Sequence, residues 1–292
     1  MGPSKAQLRR ALHGPGGGVL RLGHRAAVAC EVVAVSAAAR LGAPAPDPAE
    51  RAETARRVTV AVKTFERPSV IRRHLRSVRR VFDGRVVVAD DSRRPMTSDD
   101  PLVEVVPLPF DSGVTVGRNA AVAAVTTEYV LVTDDDIVFT AATDLERARR
   151  VLDDNPEVDV VGFLRIDLPE WSAYDHGPDA LFAGHDAPLR PWGELVGGLP
   201  VRYKIAQVFL GRTEAVRAVG WDENLRMVDH KDFFSRACGQ LLVVQDAAVQ
   251  VLHARAPFSS RYAPHRGNTS SDLAYLSRVW AERARERRRD GA

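Results

Sequence analysis

The chain has 292 residues, a net charge of +3, 45% hydrophobic and 27% charged residues, the balance of a soluble globular protein large enough for one sizeable α/β domain or two small ones. Two cysteines, Cys30 and Cys238, exclude a disulfide scaffold and a cysteine-ligated zinc site, and fit a reducing compartment. Much of the basic excess lies in 282–289, which reads as the solvated end of a helix, so no nucleic-acid partner is expected.

Residues 1–57 stand apart as an N-terminal helical extension and linker. Gly14-Pro15-Gly16-Gly17-Gly18 is a breaker, Val19 to Leu41 has helical potential, and Gly42-Ala43-Pro44-Ala45-Pro46-Asp47-Pro48 is a linker. The segment suits a docking helix or an oligomer contact, including one with a second copy of the chain. Its apolar run from Ala26 to Ala39 holds Glu31 and is too short to span a bilayer, and no cleavage site follows a basic start. No transmembrane segment or signal peptide is expected, and the expected location is cytoplasmic.

From Val58 strands and helices alternate. Val58–Val62 is a strand, and Pro68 opens a helix with apolar residues at Val70, Ile71, Leu75, Val78 and Phe82. Strands follow at Arg85–Ala89, ending in Asp90-Asp91-Ser92, and at Val103–Leu108. Asp111-Ser112-Gly113 opens a helix through Val125. Tyr129–Thr133 is a strand that runs into Asp134-Asp135-Asp136. A helix near Leu145–Leu152 and a strand at Val158–Ile166 come next. The stretch from Asp167 to Tyr203 lacks periodicity, as functional loops do. Beyond it lie a strand around Ile205–Leu210, helices from Thr213 and over Asp229–Cys238, strands at Leu241–Val244 and Ala248–Leu252, and a last helix over Ser271–Arg288. The alternation predicts a largely parallel sheet.

A strand that delivers three carboxylates to its carboxyl end presents them where open α/β sheets bind ligands. Three adjacent anions call for a cation, and hard oxygen donors suit Mg²⁺ or Mn²⁺ with substrate phosphates completing the shell.

Val58 to Phe65, Val88-Ala89-Asp90-Asp91-Ser92, Gly117-Arg118-Asn119 and Thr126 to Asp136 occur in the order found in family 2-type glycosyltransferases. The chain resembles most the ganglioside-type β-1,4-N-acetylgalactosaminyltransferase catalytic domains, over about 58–255. That resemblance implies the GT-A fold: a mostly parallel nucleotide-binding sheet flanked by helices (58–140) fused to an acceptor-binding half (141–270), with 271–292 a basic helix. It implies inverting transfer from a UDP-sugar, an N-acetylhexosamine, to a hydroxyl-bearing acceptor, with Mn²⁺ or Mg²⁺. Another nucleotide-sugar donor in natural-product or cell-surface glycan assembly is the alternative within the class. A nucleotidyltransferase would carry a glycine-rich loop after the first strand, and Lys63-Thr64-Phe65-Glu66-Arg67 has none.

The resemblance also assigns roles. Asp90, or Asp91 one register away, faces the uracil imide unless it caps an Asx turn. Thr64 and Glu66 lie beside base or ribose, Arg118 and Asn119 reach the diphosphate or base, Asp134 faces the ribose, Asp135 orients its neighbours, and Asp136 holds the metal with His253. Arg261 belongs to a lid segment over the diphosphate. Asp229-His230-Lys231-Asp232 corresponds to the acidic pattern that holds the general base, which places His230 at the base with Asp229 the close alternative and Asp232 the second acid. Glu170, Trp171 and Trp192, with Arg165, Tyr174 and Tyr203, supply the acceptor side.

Overall fold

The computed structural model describes residues 17–42, 47–255, 262, 265 and 269–290. Helix α1 (Gly17–Gly42) lays Val28 and Val32 on an apolar patch made by Val138, Leu168, Leu252 and Ala254. Helix α2 (Pro48–Arg57) starts inside the expected linker, because Asp47 caps the Ala49 N–H at 2.9 Å and Pro48 fits a first turn.

One side of the main sheet is β1 (Val58–Thr64), β2 (Val86–Asp90), β3 (Val103–Pro107) and β4 (Tyr129–Asp134), paired in parallel in the order β3-β2-β1-β4. β1 and β2 are almost wholly buried runs of Val, Ala and Thr, as strands covered on both faces must be. Helix α3 (Pro68–Val81) covers one face with Val70, Ile71 and Val78. Helix α4 (Val114–Ala123) contacts β1 and β2. Its Gly117 passes so close to Lys63 that an added Cβ would lie 2.3 Å from Lys63 Cγ, and the next residue, Arg118, pairs with Asp134 at the end of β4.

The expected strand at Ile205–Leu210 begins later. After β5 (Ile137–Phe139), α5 (Leu145–Asp154), β6 (Val160–Leu168) and the short β7 (Ser172–Ala173), two-residue strands β8 (Leu195–Val196) and β9 (Leu199–Pro200) interrupt the loop. β10 (Phe209–Arg212) then inserts antiparallel between β4 and β6. Helices α6 (Thr213–Val219) and α7 (His230–Ala237) follow. The two late strands are one, β11 (Val243–Ala254), whose register shifts between Asp246 and Gln250; it runs parallel to β6 and antiparallel to β5. Helix α8 (Ser270–Asp290) buries Leu276 and Trp280 against Leu225. No helix among the described residues is long and apolar enough to cross a membrane.

Candidate active site

The carboxyl ends of β1, β2 and β4 open on two adjoining hollows. A cleft of about 200 Å³ includes Arg118, Asp134, Asp136, Asp229, His230 and His253 in its wall, and beside it a hollow of about 620 Å³ includes Thr64, Glu66 and Asp90. Arg67 and His265 border both.

The aspartate triplet is the turn between β4 and β5, and α3 fixes its far side. The buried His74 donates from Nδ1 to the Ile137 carbonyl at 2.8 Å, and Ser77 Oγ accepts the Phe139 N–H at 3.0 Å. Asp135 is buried under the site, accepting from Thr64 Oγ1 at 2.7 Å and pairing with Arg67. Burial raises its pKa to about 6, against the pull of Arg67. Arg67 also reaches Asp136 from Nη1 at 3.2 Å and lies over the Tyr262 ring at 4.1 Å.

His253 comes to the triplet because β11 pairs with β5, His253 opposite Ile137, and the Ala254 N–H donates to the Asp136 carbonyl at 2.9 Å. Its Nδ1 lies 2.8 Å from Asp167 Oδ1 and its Nε2 3.3 Å from Asp136 Oδ1. Burial works to lower the imidazole pKa, but hydrogen bonds to Asp136 and Asp167 raise it overall. With Nδ1–H held by a carboxylate, the Nε2 lone pair points at a second carboxylate oxygen, and only a proton or a metal cation between them makes that contact favourable. Adjacent donors around an octahedral cation stand about 3 Å apart. The pair therefore fits a divalent cation, although no group of three His, Cys, Asp or Glu side chains with metal-binding arrangement occurs among the described residues.

Arg118 joins the two walls. Nη2 donates to Asp134 Oδ1 at 2.7 Å, Nε stands 2.9 Å from Asp229 Oδ2, and Nη1, also buried, has no hydrogen-bond partner among the described residues. Asp229 begins α7, and burial raises its carboxyl pKa while Arg118 opposes the rise. Next to it, His230 lies with Nε2 2.6 Å from the Ile205 carbonyl, an acceptor that makes Nε2 the protonated nitrogen. Burial, and then Lys204, push the His230 pKa well below its usual value.

The larger hollow is shaped by Asp90. Its two oxygens accept the N–H groups of Ser92 and Met96, each at 2.8 Å, which is the Asx-type closure, and spare lone pairs remain. Asp91 lies beneath, held by Lys63 Nζ at 2.8 Å and the Gly113 N–H at 3.1 Å. Glu66 accepts the Arg93 N–H at 2.9 Å.

Other expected residues lie elsewhere. Asn119 points away from the cleft and pins the Gly220-Trp221-Asp222-Glu223 turn, accepting the Trp221 N–H and donating to its carbonyl, both at 2.8 Å. Asp232 is buried on the other side of α7, accepting from Trp280 Nε1 at 2.9 Å and Arg236 Nε at 2.8 Å. Glu170 and Trp171 are exposed on the β6–β7 turn, and Trp192 donates from Nε1 to the His176 carbonyl at 3.3 Å. Arg261 lies outside the described residues.

Four residues gave no sequence signal. Arg67 and Asp167 act through partners distant in the chain. Asp272, at the start of α8, accepts on one oxygen the N–H groups of Arg226, Met227 and Val228 at 3.0, 2.7 and 3.0 Å, and so fixes the segment that leads into Asp229. Gln207 is 4% exposed in the cleft wall, with neither amide atom hydrogen-bonded among the described residues. An unpaired buried polar group costs about 1–3 kcal/mol.

The sequence model of glycosyl transferase family 2 matches residues 59–219. The chain belongs to that family. It is 38% identical over 240 residues to human beta-1,4 N-acetylgalactosaminyltransferase 1, covering 76% of this chain and 45% of that protein. It is 34% identical over 245 residues to mouse beta-1,4 N-acetylgalactosaminyltransferase 2, covering 78% and 47%. The chain thus spans about half the length of these relatives. The crystal structure of S. aureus TarS 1-349 superposes with a TM-score of 0.54 at 18% identity, over 78% of this chain and 65% of that one. That likeness shows the fold, the GT-A arrangement of this family.

Proposed function

We propose that this family 2 chain is a metal-dependent inverting glycosyltransferase that moves an N-acetylhexosamine from a UDP-sugar to a hydroxyl acceptor. The observation that carries the reading is the single cleft in which Arg118 links Asp134, beside the Asp136–His253 pair, to Asp229 on the opposite wall. The names of the relatives support the sugar class.

In this reading uracil enters the hollow beside Thr64 and Glu66, where Asp90 keeps lone pairs for the imide N–H. Asp134 faces the ribose, and the unpaired Nη1 of Arg118 takes a diphosphate oxygen. Asp136 and His253 hold Mn²⁺ or Mg²⁺, which when bound supplies Lewis-acid stabilisation of the leaving diphosphate. Asp135 and Arg67 lie behind them and keep Asp136 oriented.

Asp229 is assigned as the general base. It lines the cleft, and burial makes its carboxylate more basic than usual. It accepts the proton of the acceptor hydroxyl as that oxygen attacks the anomeric carbon from the face opposite UDP, so the configuration inverts. His230 has its Nε2 engaged by the Ile205 carbonyl, which leaves it one lone pair, on Nδ1, and burial depresses the pKa of that imidazole. It lines the same cleft as Arg165, on the acceptor side of this reading.

Nucleotide binding tests the reading. UDP with Mn²⁺ is expected to raise the melting temperature, with a smaller shift from ADP or GDP and loss of the Mn²⁺ increment in Asp136→Ala. Equal shifts from all three nucleotides, or no shift, would contradict it.

A further inference from the structure

Gln207 stands just before β10. Phe209 pairs with Val132 in the antiparallel β10–β4 register, so the segment just before β10, which holds Gln207, leads from the carboxyl end of β4 that carries Asp134. Its side chain is 4% exposed and borders the cleft that holds Asp134, Asp229 and His230. Neither Nε2 nor Oε1 meets a hydrogen-bond partner among the described residues. Buried polar groups are normally paired. A carboxamide left unpaired by its own chain, yet bordering a substrate cleft, is completed by what enters the cleft.

The geometry points to Gln207 as a specificity-determining residue that grips two neighbouring hydroxyls of a sugar ring, Nε2 donating to one oxygen and Oε1 accepting from the other. This assignment rests on the glycosyl-transfer reading. The charged groups of the cleft wall, Asp134, Asp136, Asp229 and Arg118, suit a cation, a diphosphate and a proton in transit. Gln207 is neutral, and it offers a donor and an acceptor side by side. A vicinal diol presents the complementary pair, because each hydroxyl both donates and accepts. An acetamido substituent does not, since the N–H and C=O of its trans amide point in opposite directions and one carboxamide cannot meet both.

The diol belongs either to the donor sugar or to the acceptor sugar, and kinetics on the full chain separate the two. Wild type is first assayed with UDP-N-acetylhexosamines and Mn²⁺; failure to turn any of them over removes the proposed UDP-N-acetylhexosamine reading, whatever Gln207 does. With an active wild type, Gln207→Leu is expected to melt no lower than wild type, because it removes an unpaired amide, and to keep the UDP-induced melting shift. Its kcat/KM is expected to fall about 10- to 100-fold, the scale of losing a ligand hydroxyl contact. A fall in acceptor-free donor hydrolysis places the diol on the donor; a fall confined to transfer, in acceptor KM, places it on the acceptor. A deoxy analogue of that sugar should show the wild-type loss and no further loss in the variant. Unchanged kcat/KM in both reactions, or loss of the UDP shift together with activity, overturns the assignment. Should Gln207→Leu fail to fold, Gln207→Asn, which keeps the amide but draws it back, is measured in the same way; wild-type kinetics there overturn the assignment too.

Discussion

Arg118 and Asp229 form a buried ion pair, Nε to Oδ2 at 2.9 Å, while the same guanidinium donates to Asp134 at 2.7 Å. One cation thereby spans Asp134 and Asp229, and both carboxylates pair with it. Arg118→Ala leaves Asp229 buried without a counter-charge, a loss of about 3–5 kcal/mol for a broken buried pair. Urea denaturation measures it. Arg118→Lys keeps a charge but not the fork, so it should fold better than the alanine variant and still bind UDP more weakly than wild type.

Asp229 and His230 are separated by the pH profile. A general base works when deprotonated, so transfer rises with pH through the pKa of that base and levels off above it. Burial sets the Asp229 pKa above 3.8, so the rising limb lies above the ordinary aspartate range. Asp229→Asn should lower kcat about 10²- to 10⁴-fold, the usual contribution of a general base, and abolish the limb. His230→Asn should keep the limb and lose less than about tenfold. The reverse pattern would move the role to His230.

Asp135 makes the metal-free protein sensitive to pH. Its folded-state pKa of about 6 lies above the usual 3.8, so the native state holds a proton that the unfolded chain releases. That contribution to stability is complete below about 3.8 and is lost as pH rises through about 6. In chelator, wild type should lose melting temperature across this window relative to Asp135→Asn, whose curve should be flatter. Parallel curves would show that Asp135 titrates normally.

Asp272 is the test of α8 as a brace. Three N–H groups converge on one of its oxygens, and Asp272→Ala releases them at a cost of about 3 kcal/mol. Because the freed segment ends at Asp229, kcat should fall by more than the UDP affinity does, and Asp272→Asn, which keeps an acceptor oxygen, should recover part of both. Calorimetric UDP binding and steady-state kinetics on the same samples decide it.

The sequence exposed the parts of this site whose meaning is local. Alternating buried strands announced the parallel half of the sheet, the triplet sits at a strand end where the pattern put it, and Asp229 opens a helix as its spacing required. What stayed hidden depends on pairing between distant segments. β10 runs antiparallel, which no periodicity specifies, and that choice brings the Gln207 segment to the cleft that Asp134 borders. Asp232 read as an acid in the acidic pattern, but the docking of α8 supplies Trp280 and turns it into a helix anchor. Asn119 read as a substrate contact, and the turn at Trp221 claimed both ends of its amide. Asp167 and Arg67 carry no motif; they matter because β6 ends beside His253 and α3 begins beside the triplet.

A donor screen with purified protein and Mn²⁺, following UDP release, tests the proposed chemistry most directly. The expected result is release from a UDP-N-acetylhexosamine that stops on chelation and in Asp136→Ala. No release from any UDP-sugar by a folded protein, or release that persists unchanged in chelator, would contradict it.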